Sequence, residues 1–251
     1  MVISYKHKYI FVGIPFSASS AITNELINNY SGKFILKKHS NIPTLIKKHK
    51  INIKNFIVFG VYRSPEEILK SRYNKLLHNV GNRFSDKKFL IKNGGAVSVK
   101  AQNLSKLIRE KKLTFKDYLN INFRGIPYDN EFTMNAPFMN YIIDFRNLET
   151  DFNKILRSIG IKSKSNLNKV NKTKKDYNLS YELSKSFKKK YFAPFIVYNF
   201  KYIPEISKPD VNFFYYLIFL FLRKIREYKF LNSKKSGTYE KSISINKKKY
   251  D

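Results

Sequence analysis

The chain has 251 residues, with 49 Lys and Arg against 18 Asp and Glu, a net charge of +31 and no Cys. This length suits one large domain, or one domain with a tail, and 43% hydrophobic residues suffice for a core. The lack of Cys excludes a disulfide framework and a thiolate nucleophile, and with only four His we expect no metal site.

The positive charge is spread along the whole chain, so its distribution does not indicate which kind of partner the protein binds. It is typical of a solvated surface, or of attraction to a nucleotide, an anionic glycan, nucleic acid or a membrane surface. The N-terminal residues lack the long apolar stretch and small-residue cleavage site of a signal peptide. We therefore expect a cytoplasmic protein, with membrane association as a further option.

Residues 8–29 predict a strand, a tight turn and a helix. The apolar run at 9–14 indicates a buried strand, small residues interrupt it, and apolar residues then recur at helical spacing. Such a turn leaves backbone N–H groups free at a helix N-terminus, where the helix dipole favours an anion. We predict an anion-binding loop formed by Pro15, Phe16, Ser17, Ala18, Ser19, Ser20 and Ala21.

Strand and helix signals then alternate along the chain, which predicts an α/β fold with a mostly parallel sheet. Ser40 or Asn41 is expected to cap a helix at Ile42, and Ser64 a helix at Pro65. Strands are predicted at 33–36, 56–62 and 141–145; helices at 99–112, from 114, at 147–159 and at 180–191; and irregular segments at 79–97, 125–137 and 163–176.

Arg63 and Ser71 form a second candidate binding element. Arg63 follows the buried run FIVFGVY, and Ser71 lies on the next predicted helix. Ligands of parallel α/β sheets bind at the carboxyl ends of the strands, where the loop at 15–21 also lies. A planar guanidinium and a hydroxyl suit a second phosphate, so the two elements together predict a nucleotide with phosphates at both ends of its ribose.

The C-terminal part has a different character. Residues 213–222, FFYYLIFLFL, are apolar and precede Arg223, Lys224 and Arg226. As a helix this run covers roughly 15 Å, too little to span a bilayer. It either packs on the domain or, within 213–226, contacts a membrane surface or a partner. We divide the chain into a main domain at 1–205, an apolar helix at 206–231 and a basic, disordered tail at 232–251.

Several segments, in this order, resemble sulfotransferases that use 3′-phosphoadenosine 5′-phosphosulfate (PAPS). IFVGIPFSASSAI resembles the 5′-phosphosulfate loop, KKHSNIPTLIKK a Lys-His segment of a bacterial branch, and FGVYRSPEEILKSRY the 3′-phosphate motif. YIIDFRNLETDF and NKTKKDYNLSYELSKSFKKKYFAPFIVYNF resemble later segments of the family. The resemblance covers about residues 5 to 203.

The resemblance implies a three-layer sandwich similar to P-loop nucleoside-triphosphate hydrolases, and metal-free transfer of a sulfuryl group to a hydroxyl of a carbohydrate-type acceptor. The loop at 15–21 would bind the 5′-phosphosulfate, with Ser19 acting on the transferring group, and Arg63 and Ser71 would bind the 3′-phosphate. His39 is the candidate general base, because His titrates near neutral pH. The acceptor would be a small molecule or a glycan, and an acidic acceptor is one option.

Phe16 departs from the family pattern, which usually has Lys at this position. Lys8, Lys37, Lys38 or another of the many lysines would then have to supply the missing charge. The alternative is a relative that binds a nucleotide or polyanion without catalysing transfer. The chain has no recognised nucleic-acid-binding motif, which disfavours a nucleic-acid binder. It also lacks the Gly-Lys-Ser/Thr signature of a nucleotide kinase.

Overall fold

The computed structural model describes residues 1–162, 167, 183–203 and 207–231. The predicted loop at 163–176, the tail at 232–251 and the start of the helix predicted at 180–191 lie largely or wholly outside these residues. The described residues form a mixed α/β structure, which confirms the predicted class.

Five strands form one sheet in the order β3-β1-β2-β4-β5. The strands are β1 Val2–Ser4, β2 Tyr9–Val12, β3 Lys33–Phe34, β4 Ile57–Tyr62 and β5 Tyr141–Asp144. Strand β4 is parallel to β2 and to β5, whereas β1 is antiparallel to β2 and to β3.

The sheet is therefore mixed, and the prediction of a mostly parallel sheet needs correction. The reason is β1, which the sequence analysis missed because three residues are too few to show a period. It folds back on β2 as a hairpin, with Ile3 opposite Ile10 and Lys8 at a positive φ of 52° in the turn. The parallel part, β2-β4-β5, is the part that positions the predicted site.

Ten α-helical segments are described. They are α1 Ser19–Asn29, α2 Ile42–His49, α3 Pro65–Leu77, α4 Val99–Glu110, α5 Phe115–Phe123, α6 Phe132–Asn135, α7 Leu148–Ser158, α8 Lys185–Phe187, α9 Ala193–Asn199 and α10 Phe213–Leu231. Lys188–Phe192 is a π-helical turn that joins α8 to α9. Short 3₁₀ turns occur at Ile53–Asn55, Val80–Asn82, Lys87–Phe89, Ile91–Asn93, Ala136–Phe138, Phe145–Asn147 and Phe200–Tyr202.

Apolar residues cover both faces of the sheet. Because side chains alternate along a strand, Tyr9 and Phe11 of β2 face a cluster with Ile22 of α1 and Phe152 of α7. Ile10 and its neighbours on the opposite face join a larger cluster that includes α2, α3, α5 and α9. Both faces of the central strands are thus buried, which explains their continuous apolar sequence.

Local capping signals are confirmed where the sequence predicted them. The Asn41 side chain accepts the Thr44 N–H at 2.8 Å, so Asn41 rather than Ser40 caps α2. Ser64 accepts the Glu67 N–H at 3.3 Å, and Thr114 forms a capping box with Asp117. The cap at Ser64 fixes the start of α3 directly after Arg63.

The segment predicted to be turn-rich at 125–137 contains a short buried helix, α6. Phe132 and its neighbours in α6 pack into the core beneath α9, and the Asn135 carboxamide accepts the Ile42 N–H at 2.8 Å. The predicted irregular segment at 79–97 holds three 3₁₀ turns. Among the described residues, no helix is long and apolar enough to cross a membrane.

Candidate functional site

The loop after β2 has the backbone geometry of an anion cradle. Phe16 has φ 62° and Ala18 has φ 54°, both in the left-handed region that residues other than glycine rarely adopt. Ser17 between them does not have positive φ. Alternation of this kind turns successive N–H groups toward one side and forms a concavity that suits anions.

The three predicted serines take different positions in this loop. Ser17 is buried, and its hydroxyl donates to the Ile14 carbonyl at 2.7 Å, so it holds the turn. Ser19 and Ser20 begin α1, whose first turn has no acidic residue and no side-chain cap. Ala21 is packed into the core, so the first turn of α1 is fixed to the sheet while its N-terminal end faces the loop.

The segment after β3 lies directly against this loop. A Cβ at Gly13 would come within 2.8 Å of the Lys38 carbonyl oxygen, so only glycine allows this approach. Lys38 Nζ donates to Ser20 Oγ at 2.6 Å, and His39 Nδ1 lies 2.7 Å from the Gly13 carbonyl oxygen. The structure thus brings the Lys-His pair to the predicted anion-binding loop.

The hydrogen bond to Gly13 determines the tautomer of His39. A carbonyl oxygen can only accept, so Nδ1 carries the proton and Nε2 keeps its lone pair in the neutral ring. His39 is exposed to solvent overall, but the protein packed around its ring disfavours the charged form. This desolvation, together with the Lys38 ammonium and against the opposing hydrogen bond to Gly13, lowers the pKa of His39 to about 4. His39 is therefore a neutral proton acceptor at physiological pH.

The lowered pKa of His39 predicts a pH dependence of stability. Below its ordinary pKa of 6.5 the unfolded chain protonates His39, whereas the folded chain does so only near pH 4. Stability is therefore lost as pH falls from about 6.5 to about 4. In thermal melts across this range, His39→Asn, whose amide can still donate to Gly13, should show a shallower decline than the native chain. Identical slopes would contradict the assignment.

Arg63 links the two predicted halves of the site. Its Nη1 donates to the Phe16 carbonyl oxygen at 2.7 Å, and its guanidinium lies 4.0 Å from the centroid of the Phe145 ring. Burial lowers the pKa of Arg63. Arg63 Nε and Tyr62 Oη are two of the seven side-chain atoms in the described part of the chain that are buried without a hydrogen-bond partner, and burial raises the pKa of Tyr62. Unsatisfied buried polar groups of this kind suit a polar ligand.

Ser71 lies on the face of α3 that is turned toward the loop. Glu67, Ser71 and Lys75 are four residues apart and therefore form one row along the helix. Glu67 Oε2 lies 4.0 Å from Arg63 Nε at one end of this row, and Lys75 Nζ lies 4.7 Å from the centroid of the Phe16 ring at the other. Ser71 lies between these two residues in the row, and its place in a phosphate site stays a prediction.

Lys75 is the main residue of the site that the sequence analysis missed. Its pKa is lowered, first by burial and then by Arg83 and Arg63, so these three cations lie close together. The signal was available in part, because Lys75 follows Ser71 by one helical turn. The position of Arg83 near Lys75 had no such signal.

A cavity of about 500 Å³ lies at the start of α3, where Ser64 and Pro65 line it. Its apolar walls come from both α3 and α9, and Glu66 at its edge pairs with Lys188 at 3.0 Å and Lys70 at 2.8 Å. The cavity is lined by Ser64, Pro65, Glu66, Lys185, Ser186, Lys188, Lys189, Phe192, Ala193, Ile196, Pro209 and Asp210. The cavity is large enough to hold a small organic group.

Comparison with known proteins gives no assignment for this chain. No protein-family model matches it, and neither the curated proteins nor the solved structures contain a match.

Proposed function

We propose that this protein is a PAPS-dependent sulfotransferase that modifies a hydroxyl of a carbohydrate-type acceptor. The proposal includes the finer fold assignment, a three-layer sandwich similar to P-loop nucleoside-triphosphate hydrolases. The supporting fold feature is the parallel β2-β4-β5 unit, which brings the loop at 15–21 and Arg63 to one edge of the sheet.

The observation on which the proposal rests is the contact between the two candidate phosphate sites. Arg63 Nη1 donates to the carbonyl oxygen of Phe16, so the segment after β4 and the loop after β2 are in direct contact. Lys38 adds an ammonium on the loop side and Lys75 another on the α3 side. A ligand with two separated anionic groups suits this arrangement better than a ligand with one.

PAPS would suit these residues, because Phe16 and Ala18 have positive φ and because Arg63 Nε and Tyr62 Oη are buried without a hydrogen-bond partner. The 5′-phosphosulfate would lie against the backbone N–H groups of Ser17 to Ala21, and the 3′-phosphate against Arg63 and Ser71. PAPS supplies the activated sulfuryl group. Its sulfur gains a bond to the acceptor oxygen and loses the bond to the 5′-phosphate oxygen.

His39 would accept the proton of the acceptor hydroxyl on Nε2, while its Nδ1–H continues to donate to the Gly13 carbonyl oxygen. In the folded protein without ligand, a pKa of about 4 makes His39 a weak base. Negative charge bound at the neighbouring loop would raise that pKa toward the working range. Lys38 would take the place of the lysine that Phe16 replaces, because its ammonium already lies on the first turn of α1.

Selective stabilisation by nucleotides tests this proposal. The product, 3′-phosphoadenosine 5′-phosphate, should raise the melting temperature by mass action, and ATP should do so less at the same concentration. The preference arises because only the product has a 3′-phosphate for Arg63 and Ser71. Differential scanning fluorimetry with both nucleotides measures this difference.

Two outcomes would contradict the proposal at different levels. Equal stabilisation by both nucleotides, or by neither, would exclude a dedicated 3′-phosphate site. Selective binding without transfer of labelled sulfate from PAPS to a panel of glycans would favour a non-catalytic relative. Transfer to a glycan would establish the proposed activity.

A further inference from the structure

Helix α10 has one face anchored on the domain and one apolar face exposed. Phe219 is buried and packs against Tyr198 in a tilted arrangement, with 5.5 Å between ring centroids. Arg226 binds Asp129 at 2.7 Å and Glu131 at 3.4 Å. Because these contacts lie along the length of the helix, they fix its rotation and determine which side chains remain outside.

The exposed face is an aromatic stripe that we define as Phe214, Leu217, Phe221 and Tyr228. Successive spacings of three, four and seven residues place the four side chains on one side of a helix. They are between 47 and 70% exposed, and Phe213 beside them is 72% exposed. Contiguous exposure of large apolar side chains is typical of an interaction surface.

Lysines lie at both ends of the stripe and within it. At the start of α10, Lys190 Nζ is 4.7 Å from the centroid of the Tyr215 ring. The backbone carbonyl of Lys189 accepts the Asn212 N–H, and Lys189 Nζ pairs with Asp210 at 3.7 Å. Lys224 is exposed on the side of the stripe, between Phe221 and Tyr228. At the end of the helix, Lys47 Nζ donates to the Leu231 carbonyl at 3.1 Å. The apolar surface is therefore bordered by positive charge.

We propose that the aromatic stripe docks α10 flat onto an anionic membrane surface, independently of the reaction at the candidate site. Phe and Leu side chains on one face of a helix, with lysines at its borders, suit the boundary between headgroups and acyl chains. The anchored face prevents α10 from entering deeper, since Arg226 is held by two carboxylates. A second copy of the chain is a poorer occupant, because two molecules of net charge +31 repel each other.

Vesicle sedimentation of the full chain tests this proposal. We expect binding to phosphatidylcholine vesicles that contain phosphatidylserine, and much weaker binding to phosphatidylcholine alone. The combined variant Phe214→Ser, Leu217→Ser and Phe221→Ser should lower the partition coefficient by about tenfold or more. A matched control, Ile91→Ser, Val99→Ser and Ile126→Ser, removes similarly exposed apolar side chains elsewhere and should bind like the native chain.

A fluorescent reporter gives a second measurement that does not depend on the folding of the triple variant. The chain has no Trp, so Leu217→Trp adds a single indole to the stripe and Ile126→Trp adds one away from it. Only the indole at 217 should shift to shorter wavelength on phosphatidylserine vesicles and be quenched by brominated lipid.

Three results would overturn the proposal. Undiminished vesicle binding by the stripe variant would show attraction by charge alone. No change in the indole at 217 would exclude insertion of the stripe. If the native chain self-associates and serine substitutions in the stripe abolish this without affecting vesicle binding, a second copy is the occupant.

Discussion

Replacing Arg63 with alanine is expected to weaken the binding of 3′-phosphoadenosine 5′-phosphate by about 10- to 100-fold. A hydrogen bond to a charged group contributes about 1.5–3 kcal/mol, which converts to this range. Arg63 is also the residue that connects the loop at Phe16 to α3, so its loss removes both a ligand for the phosphate and the support of the cradle. Isothermal titration calorimetry measures the affinity directly.

Two further variants separate binding from folding. Arg63→Lys keeps the charge but not the planar fork, and we expect an intermediate loss of affinity. Arg109→Ala is the matched control, because Arg109 lies on α4 and its Nε donates to the Ser105 carbonyl of the same helix. If Arg63→Ala melts like the native chain without ligand and still binds the nucleotide with native affinity, Arg63 is no part of a phosphate site.

Local signals predicted the elements that hold the site. The bounds of α1 and the starts of α2, α3 and α5 follow from small residues, caps and apolar spacing within a few residues. Arg63 could be placed because a buried apolar run ends just before it and Ser64-Pro65 starts a helix. Signals of this kind depend only on residues that are close in sequence, so a single amino-acid sequence is enough to show them.

Contacts between distant segments could not be predicted in the same way. Strand β1 has three residues and no visible period, so its antiparallel pairing and the mixed sheet were missed. The contact between the Lys75 ammonium and the Phe16 ring depends on how α3 packs against a loop that lies 59 positions earlier in the chain. The sequence identifies Tyr62 only as the last residue of a strand. Its hydroxyl becomes a candidate ligand contact because it is buried without a hydrogen-bond partner.

Phe16 raises the question of which cation assists transfer. Two lysines lie near the loop: Lys75 stacks over the ring itself, whereas Lys38 binds Ser20 on the first turn of α1. In the proposed reaction, the leaving phosphate would develop charge where backbone N–H groups converge, which is the α1 side. Lys38 is therefore better placed than Lys75 to stabilise that charge, and Gly13 keeps its backbone close to the loop.

We accordingly expect Lys38→Met to reduce the rate of sulfuryl transfer by roughly 100- to 1,000-fold, which is typical for loss of one preorganised donor at a developing charge. The affinity for the product nucleotide should change much less, because Arg63, Ser71 and the loop backbone remain. Single-turnover transfer of labelled sulfate and calorimetry give the two quantities separately.

Lys33→Met is the matched control, since Lys33 is an exposed lysine on β3 and its loss should leave the rate unchanged. Lys75→Met distinguishes the two candidate cations. If Lys75→Met abolishes transfer while Lys38→Met does not, the charge missing at Phe16 comes from α3. If both variants transfer at the native rate, neither lysine replaces the family's loop lysine, and catalysis must depend on the backbone cradle and Arg63.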